Sequence, residues 1–287
     1  MDGSNKNDDF ESDIFQVKDT AALISIKVTN GELSNELLKN NGNWTLNSKY
    51  AVDNNLTKIL TTILAQVQVK RPVARLNNQE VFKNLLQNGK KINISLAGGS
   101  EITFISGGNN AKTASYFADV ATAQVYIVEI PGYNNYLSGI FELTENQWRD
   151  RILFSSSWRT IKTLNIQYQN EAILQIDFED RFLKIQGVSK MDTTSLLTYL
   201  QQYEYFQIND YLELGSYPKY DSLLLTSPIA TLLISDIDNS KNRAIKVFPK
   251  MKGERFFLLS DSSNQMMVVD EKRMNSLLVT SNQFKSE

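Results

Sequence analysis

The chain has 287 residues, 41% of them hydrophobic, which suits one or two folded units that each bury a core without disulfide or metal staples. The absence of histidine and cysteine excludes a Ser-His-Asp triad, an imidazole base, a thiolate nucleophile and the common zinc sites. The net charge of -2, from 30 Lys and Arg against 32 Asp and Glu, argues against nucleic-acid binding, which needs an excess of basic side chains on one face.

Residues 1–19 are polar and rich in Asp and Asn, and they predict a flexible leader. The end of this stretch turns apolar at Ile14, Phe15 and Val17. A native start and a trimmed membrane anchor both produce such a stretch. No run in the chain approaches the 18 apolar residues of a membrane-spanning helix.

The first half of the chain predicts strands, then helices, then strands again. A β-rich segment at 23–28 precedes a hairpin signal at Asn30-Gly31, and a second turn follows at 40–43. Trp44 then alternates with polar neighbours, which predicts an inward-facing strand position. Asp53 is placed to cap an amphipathic helix. A second helix is predicted at 78–87, and strands at 91–96, 101–105, 115–119 and 124–130.

From Thr160 the same order of elements begins again. Asp53 and Asp192, each placed before a helix, lie 139 residues apart, and Phe117 and Phe257 lie 140 apart. We therefore predict an internal duplication. The expected fold is α+β, with two tandem copies, residues 20–155 and 156–287, of a mainly antiparallel sheet unit with helices packed on one face. Strands of the second copy are predicted at 164–168, 174–178, 182–185, 231–235, 244–248, 255–259 and 265–270.

The predicted join between the copies is aromatic. Residues 145–154 have a helical pattern, and Trp148, Phe154 and Trp158 are expected to pack between the units rather than to form a ligand platform. The serines at 155–157 with Lys162 do not have the spacing of a Ser-Lys nucleophile, so this segment is interpreted as a linker.

The segment from Asp236 to Asn242 resembles the start of a calcium loop, because oxygen-bearing side chains stand at alternate positions. Lys241 stands where such a loop needs glycine, and Val247 where it needs a bidentate glutamate. A polar hairpin turn is therefore the favoured interpretation.

Three further groups are weighed against structural alternatives. Asp177, Glu179 and Asp180 could supply the two carboxyl groups of a hydrolase, but adjacent acids at a turn usually face solvent. Gly98-Gly99-Ser100 and Gly107-Gly108 lack the spacing of a phosphate loop and predict hairpin turns. An aromatic stripe could bind sugar or peptide, although core and rim positions are favoured. Its members are Tyr199, Tyr203, Tyr205 and Phe206.

Several short motifs together resemble a bacterial envelope family, the domain of unknown function 4340 family. They are 12–15 (SDIF), 18–20 (KDT), 42–47 (GNWTLN) with Tyr50, 69–73 (VKRPV), 130–133 (IPGY) and 148–151 (WRDR). The resemblance covers most of residues 10–155. It implies an extracytoplasmic region behind an N-terminal anchor, sometimes encoded beside gliding-motility-type transporter auxiliary proteins, and it carries no catalytic residues.

We therefore expect a non-enzymatic interaction or accessory domain on the periplasmic face of the inner membrane, auxiliary to an ABC-type transport or gliding-type system. A protein partner in the envelope is expected, with no nucleic acid, no cofactor, no metal, and membrane contact only through an anchor that this chain lacks. The alternative is a glycan- or peptide-binding module, and a hydrolase that uses Asp or Glu ranks third.

Overall fold

The computed structural model describes residues 11–31, 33–170, 172–179 and 182–286. The chain divides into two compact units, Met1–Asp150 and Arg151–Glu287, and each is built on one large antiparallel sheet. The predicted α+β class is confirmed. Within the described residues, no helix has the length and apolar character needed to cross a membrane.

In the first unit, nine described strands form one sheet in the order β4-β3-β2-β1-β6-β7-β8-β9-β5. The strands are β1 (Leu23–Asn30), β2 (Leu33–Asn40), β3 (Asn43–Leu46), β4 (Tyr50–Ala51), β5 (Gln68–Pro72), β6 (Lys90–Leu96), β7 (Glu101–Gly108), β8 (Ser115–Asp119) and β9 (Val125–Glu129). The α-helices are α1 (Asn54–Gln66), α2 (Arg75–Asn88) and the short α3 (Glu145–Trp148). Asp53 caps α1 by accepting a 2.7 Å hydrogen bond from the Asn55 N–H, as predicted.

In the second unit, eight described strands form a sheet in the order β13-β12-β11-β16-β17-β18-β19-β15. They are β11 (Ile161–Tyr168), β12 (Ile173–Glu179), β13 (Phe182–Ile185), β15 (Asp210–Leu212), β16 (Ala230–Asp236), β17 (Arg243–Val247), β18 (Phe256–Ser260) and β19 (Met266–Asp270). A separate pair joins β10 (Ile152–Phe154) to β14 (Phe206–Gln207). The α-helices are α4 (Thr193–Gln201), α5 (Pro218–Asp221) and α6 (Glu271–Leu277).

The two sheets have one topology. If β4 is set aside, each strand of the first order has its counterpart at the same position in the second order, and α1 and α4 occupy the same place in the two sequences of elements. Asp192 caps α4 as Asp53 caps α1. The predicted internal repeat is confirmed.

The repeat begins earlier than predicted. In the first unit the Val17 N–H donates to the Leu64 carbonyl, and the Val69 N–H donates to the Ser12 carbonyl. The same two bonds recur 139 residues later, from Ser156 to Tyr203 and from Ile208 to Arg151. Residues 12–19 therefore belong to the first fold rather than to a flexible leader. Likewise residues 151–157 open the second fold, so the boundary lies at 150/151 and the serines are not a linker. Residues 1–10 lie outside the described residues.

Helices pack on both faces of the first sheet. Phe104 and Ile105 are neighbours on β7 and so point to opposite faces. Phe104 belongs to the main core, which contains Leu60 of α1, whereas Ile105 packs in a smaller cluster with Leu85 of α2. The expectation of helices on one face therefore does not describe this unit.

The second unit repeats the arrangement. Leu259 of β18 lies in the main core with residues of α4 and α6, while its neighbour Leu258 packs with Leu223 and Phe248 in a second cluster. Segregation of successive strand residues into two clusters again places apolar packing on both faces of the sheet.

Aromatic residues near the join lie in the cores of their own units. Trp148 is fully buried in the first main core and Phe154 in the second, rather than packing between the units as predicted. Trp158 packs, partly buried, against the second core. The predicted helix at 145–154 is limited to Glu145–Trp148, because Arg149 turns extended and bridges to Val52.

Two local predictions have different outcomes. Trp44 is 8% exposed and belongs to the first core, as predicted. Gly107 and Gly108 are the last residues of β7 and not a turn. A Cβ on Gly107 would lie 2.4 Å from the side chain of Leu85 of α2, and one on Gly108 would lie 2.4 Å from the ring of Tyr136. The lack of a side chain at these positions therefore lets Leu85 and Tyr136 pack directly against the backbone of β7.

Candidate functional site

A groove of about 430 Å³ lies on the surface of the second unit. Helix α4 forms one wall, and α6 with the 3₁₀ turn Ser281–Phe284, here called the C-terminal turn, forms the other. Its lining is uncharged: Thr194, Ser195, Thr198, Tyr199, Gln202, Asn275, Ser276, Val279, Gln283 and Phe284.

The floor of the groove is aromatic and buried. Tyr199 is 4% exposed and Phe284 is 2% exposed, with their ring centroids 5.3 Å apart. The Tyr199 hydroxyl donates to the Leu277 carbonyl at 2.9 Å and shares a 2.7 Å hydrogen bond with the Tyr203 hydroxyl. Burial raises the pKa of both tyrosines well above the ordinary value, so both hydroxyls keep their protons.

A third tyrosine holds the same region. The Tyr168 hydroxyl donates to the Val279 carbonyl at 2.7 Å, and burial raises the pKa of Tyr168 to about 12. Leu277 ends α6, so its carbonyl has no partner within the helix and accepts instead from the Val279 N–H at 3.0 Å and from the Tyr199 hydroxyl. The tyrosines from β11 and α4 satisfy carbonyls at and just beyond the end of α6, which holds the second wall in place.

Some polar groups of the walls bond to each other. The Ser276 hydroxyl donates to Gln202 Oε1 at 2.6 Å across the groove, and the Ser195 hydroxyl donates to Asp192 Oδ2 at 2.6 Å. The Ser195 bond holds the pKa of Asp192 below its usual value, so this carboxylate is ionised and engaged in the helix cap.

Other wall groups remain available to a ligand. Within the described part of the chain, the side chains of Thr194, Asn275 and Gln283 have no hydrogen-bond partner, and all three are exposed. Each amide side chain offers one acceptor and two donors. The groove therefore presents unused hydrogen-bonding groups on both walls above an apolar floor.

The first unit shows what this wall looks like without a polar lining. At the 139-residue spacing of the two caps, Ser195, Thr198 and Gln202 correspond to Leu56, Ile59 and Ile63 of α1. Ile63 is buried in the first core and Leu56 packs against it. At these three positions the helix thus carries apolar residues in one copy and hydroxyl or amide groups in the other, whereas Thr194 corresponds to Asn55 and is polar in both copies.

The sequence did not single out the groove as a site. One member of the predicted aromatic stripe, Tyr199, contributes to the floor. The preference for core and rim positions is confirmed, because Tyr199, Tyr203 and Phe206 are buried and Tyr205 is exposed. The wall residues Asn275 and Gln283 were missed, because α6 and the C-terminal turn have weak helical patterns. A position-by-position comparison of the two copies was the available signal.

The calcium-like segment is a hairpin turn between β16 and β17. Asp238 caps a 3₁₀ turn by accepting from the Ser240 N–H, and the Asn242 side chain accepts from the Asp236 N–H. Asp236 is fully buried and accepts from Thr160 Oγ1 at 2.8 Å and from the Asp238 N–H at 2.9 Å. Burial by itself raises the pKa of Asp236, but these hydrogen bonds outweigh it and the pKa lies below its usual value.

The acidic pair of the hydrolase hypothesis is not assembled by the described residues. Asp177 lies on β12 opposite Lys184 and accepts a 2.7 Å hydrogen bond from Gln175. Asp180 and the side chain of Glu179 lie outside the described residues. Ser157 donates to Glu204 Oε1 at 3.1 Å, and Lys162 lies on β11. The glycines at 98 and 99 form the β6–β7 turn with positive φ, as predicted.

A second cavity, of about 450 Å³, lies in the first unit between α2 and the loop after β7. Asn109, which lines it, uses its side-chain oxygen to accept from the Thr113 and Ala114 N–H groups. This side chain closes its own loop, so the groove of the second unit is the stronger candidate.

Comparison with known proteins adds no relative: no family model, curated protein or solved structure matches the chain.

Proposed function

We propose that the protein is a non-enzymatic binding module whose second unit holds a neutral polar ligand in the groove between α4 and α6. It would act as an interaction or accessory domain of a bacterial envelope protein on the periplasmic face of the inner membrane. The sequence analysis left two non-enzymatic hypotheses, an interaction or accessory domain and a glycan- or peptide-binding module. The groove supports the second of these as the activity of the second unit.

One observation carries the proposal. Leu56, Ile59 and Ile63 in the first copy show that this architecture does not require polar side chains on that wall. Replacing apolar packing by hydroxyl and amide groups costs stability unless those groups find hydrogen-bond partners. Ser195, Thr198 and Gln202 do find partners, in the Asp192 carboxylate, the Thr194 carbonyl and the Ser276 hydroxyl. The support for a ligand therefore comes from the wall groups beside them whose donors and acceptors are unused, those of Thr194, Asn275 and Gln283.

The chemistry of the lining favours binding over turnover. Hydroxyl and amide groups bind ligands by hydrogen bonds and do not ionise near neutral pH, whereas general acid–base catalysis needs a group that titrates there. The nearby carboxylate of Asp192 is held in its helix cap. A protein with this groove should retain its ligand unchanged.

The envelope location and the accessory role in ABC-type transport or gliding rest on the sequence resemblance over residues 10–155. A protein partner is proposed on the same basis. The test is cell fractionation of the protein expressed from its complete gene, with protease access in spheroplasts. Protection from protease in intact cells and digestion in spheroplasts would support the location, and a cytoplasmic pool would refute it.

The groove is tested by transplanting the first copy's wall into the second. The triple variant Ser195→Leu, Thr198→Ile, Gln202→Ile should abolish binding of neutral ligands in a calorimetric or NMR screen and retain the fold by circular dichroism. The matched control is Thr193→Asn, which copies Asn54 at an exposed position outside the lining. Binding that survives the triple variant, or turnover in a glycosidase and peptidase screen that Asp177→Asn removes, would refute the proposal.

A further inference from the structure

We infer that the ligand of this groove is an uncharged peptide segment in extended conformation rather than a glycan. This inference rests on the proposed binding function and adds the class of ligand.

The aromatic floor argues against a sugar. An aromatic ring stacks on a flat ligand only if it exposes its own π face, as it does in carbohydrate sites. Tyr199 and Phe284 are 4% and 2% exposed, and each packs against other rings. The groove therefore offers hydrogen bonds without a stacking platform.

The free wall groups match a peptide backbone. An extended chain projects N–H and C=O groups alternately to its two sides. Thr194 offers a hydroxyl on the α4 wall, while Asn275 and Gln283 offer amides on the opposite wall. An amide side chain can donate to a peptide carbonyl and accept from a peptide N–H at the same time. Hydrogen bonds are thus available on both sides of a chain lying along the groove.

The lining also limits the side chains of the ligand. None of the ten lining residues is charged, and a charged group brought into the groove would lose water without gaining an ionic partner. Small neutral residues such as Gly, Ala, Ser, Thr and Asn fit this environment. The expected ligand is therefore a low-charge, polar stretch of polypeptide.

The test uses the full chain and a library of capped hexapeptides built from those five residues, compared with the same peptides carrying one Lys or one Asp. Maltotriose and the N-acetylglucosamine trimer are the glycan probes. Isothermal titration should show neutral peptides binding at least tenfold more tightly than charged peptides and either sugar. Asn275→Ala and Gln283→Ala should each weaken peptide binding about tenfold, the loss of one good hydrogen bond.

Gln201→Ala is the matched control, because Gln201 is an exposed amide on α4 outside the lining. It should leave the affinity unchanged, and circular dichroism should show all three variants folded. Sugar binding in place of peptide binding, lost in the triple wall variant, would overturn this inference and leave the proposed function standing. Peptide binding indifferent to Asn275→Ala and Gln283→Ala would also overturn it. Failure of both probe classes would overturn the inference and the proposed function together.

Discussion

The hydroxyl of Tyr199, at the floor of the groove, should contribute measurably to the free energy of unfolding of the second unit. Tyr199→Phe keeps the ring and its packing but removes the donor to the Leu277 carbonyl and the partner of the Tyr203 hydroxyl. The Leu277 carbonyl still accepts from the Val279 N–H at 3.0 Å, whereas the fully buried Tyr203 hydroxyl has no second hydrogen-bond partner among the described residues. A buried hydroxyl left unpaired costs about 1–3 kcal/mol. We therefore expect Tyr199→Phe to lower the free energy of unfolding by about 2 kcal/mol.

The assay is urea unfolding followed by far-UV circular dichroism, with the midpoint and slope fitted separately. Hydrogen–deuterium exchange should show the loss of protection in α6 and the C-terminal turn, because the missing hydroxyl held the end of α6. Tyr205→Phe is the matched control, since Tyr205 is 63% exposed and its variant should stay within about 0.5 kcal/mol of wild type.

Two results would refute this reasoning. The first is a Tyr199→Phe variant no less stable than Tyr205→Phe, which would mean that the buried hydroxyl contributes nothing net. The second is normal protection of α6 in an otherwise destabilised variant, which would mean that the hydroxyl does not anchor that helix. The affinity of the groove for its ligand should also fall in Tyr199→Phe. Binding would then have to order a mobile α6, and the entropy lost in that step reduces the binding free energy.

Three further changes test the fold. Trp44→Ala should lower the free energy of unfolding by about 3–5 kcal/mol in urea titrations, and an unchanged midpoint would contradict its core position. Gly108→Ala should cost about 1–3 kcal/mol, since the new methyl group meets Tyr136 at 2.4 Å and the backbone oxygen of Ala114 at 2.5 Å; a neutral thermal shift would argue against this close packing. The folded pKa of Asp236 lies below its unfolded value near 3.9, so its ionised form stabilises the protein above that pH, and the contribution is lost as the pH falls through the folded pKa. Asp236→Asn should therefore lose less stability than wild type between pH 5 and pH 3, and equal losses would count against the assignment.

Local chemistry allowed much of the fold to be predicted. Alternating apolar residues, turn signals and aspartate caps act over a few neighbours. The predicted strand ranges therefore match the structure within three residues at either end, and a helix follows both Asp53 and Asp192 as predicted. The 139-residue spacing needed only that such elements recur in order. Trp44 could be placed in the core because its strand alternates clearly.

Elements that depend on distant partners could not be predicted in this way. β5 and β15 are short edge strands, and they exist because they pair with β9 and β19 more than fifty residues later. Phe15 follows a polar start, yet it is buried among Phe104 and Phe117. Long-range pairing and packing decided these positions.

The sequence by itself determined the repeated α+β unit and, through its missing histidine and cysteine, which catalytic groups were unavailable. The groove was decided only by tertiary structure. Its walls come from segments about 80 residues apart, and Tyr168 and Tyr199 join them by bonds to backbone carbonyls of another segment. No local pattern encodes such bonds, because a tyrosine in a helix or strand looks the same in sequence whether its hydroxyl meets water or the end of another helix.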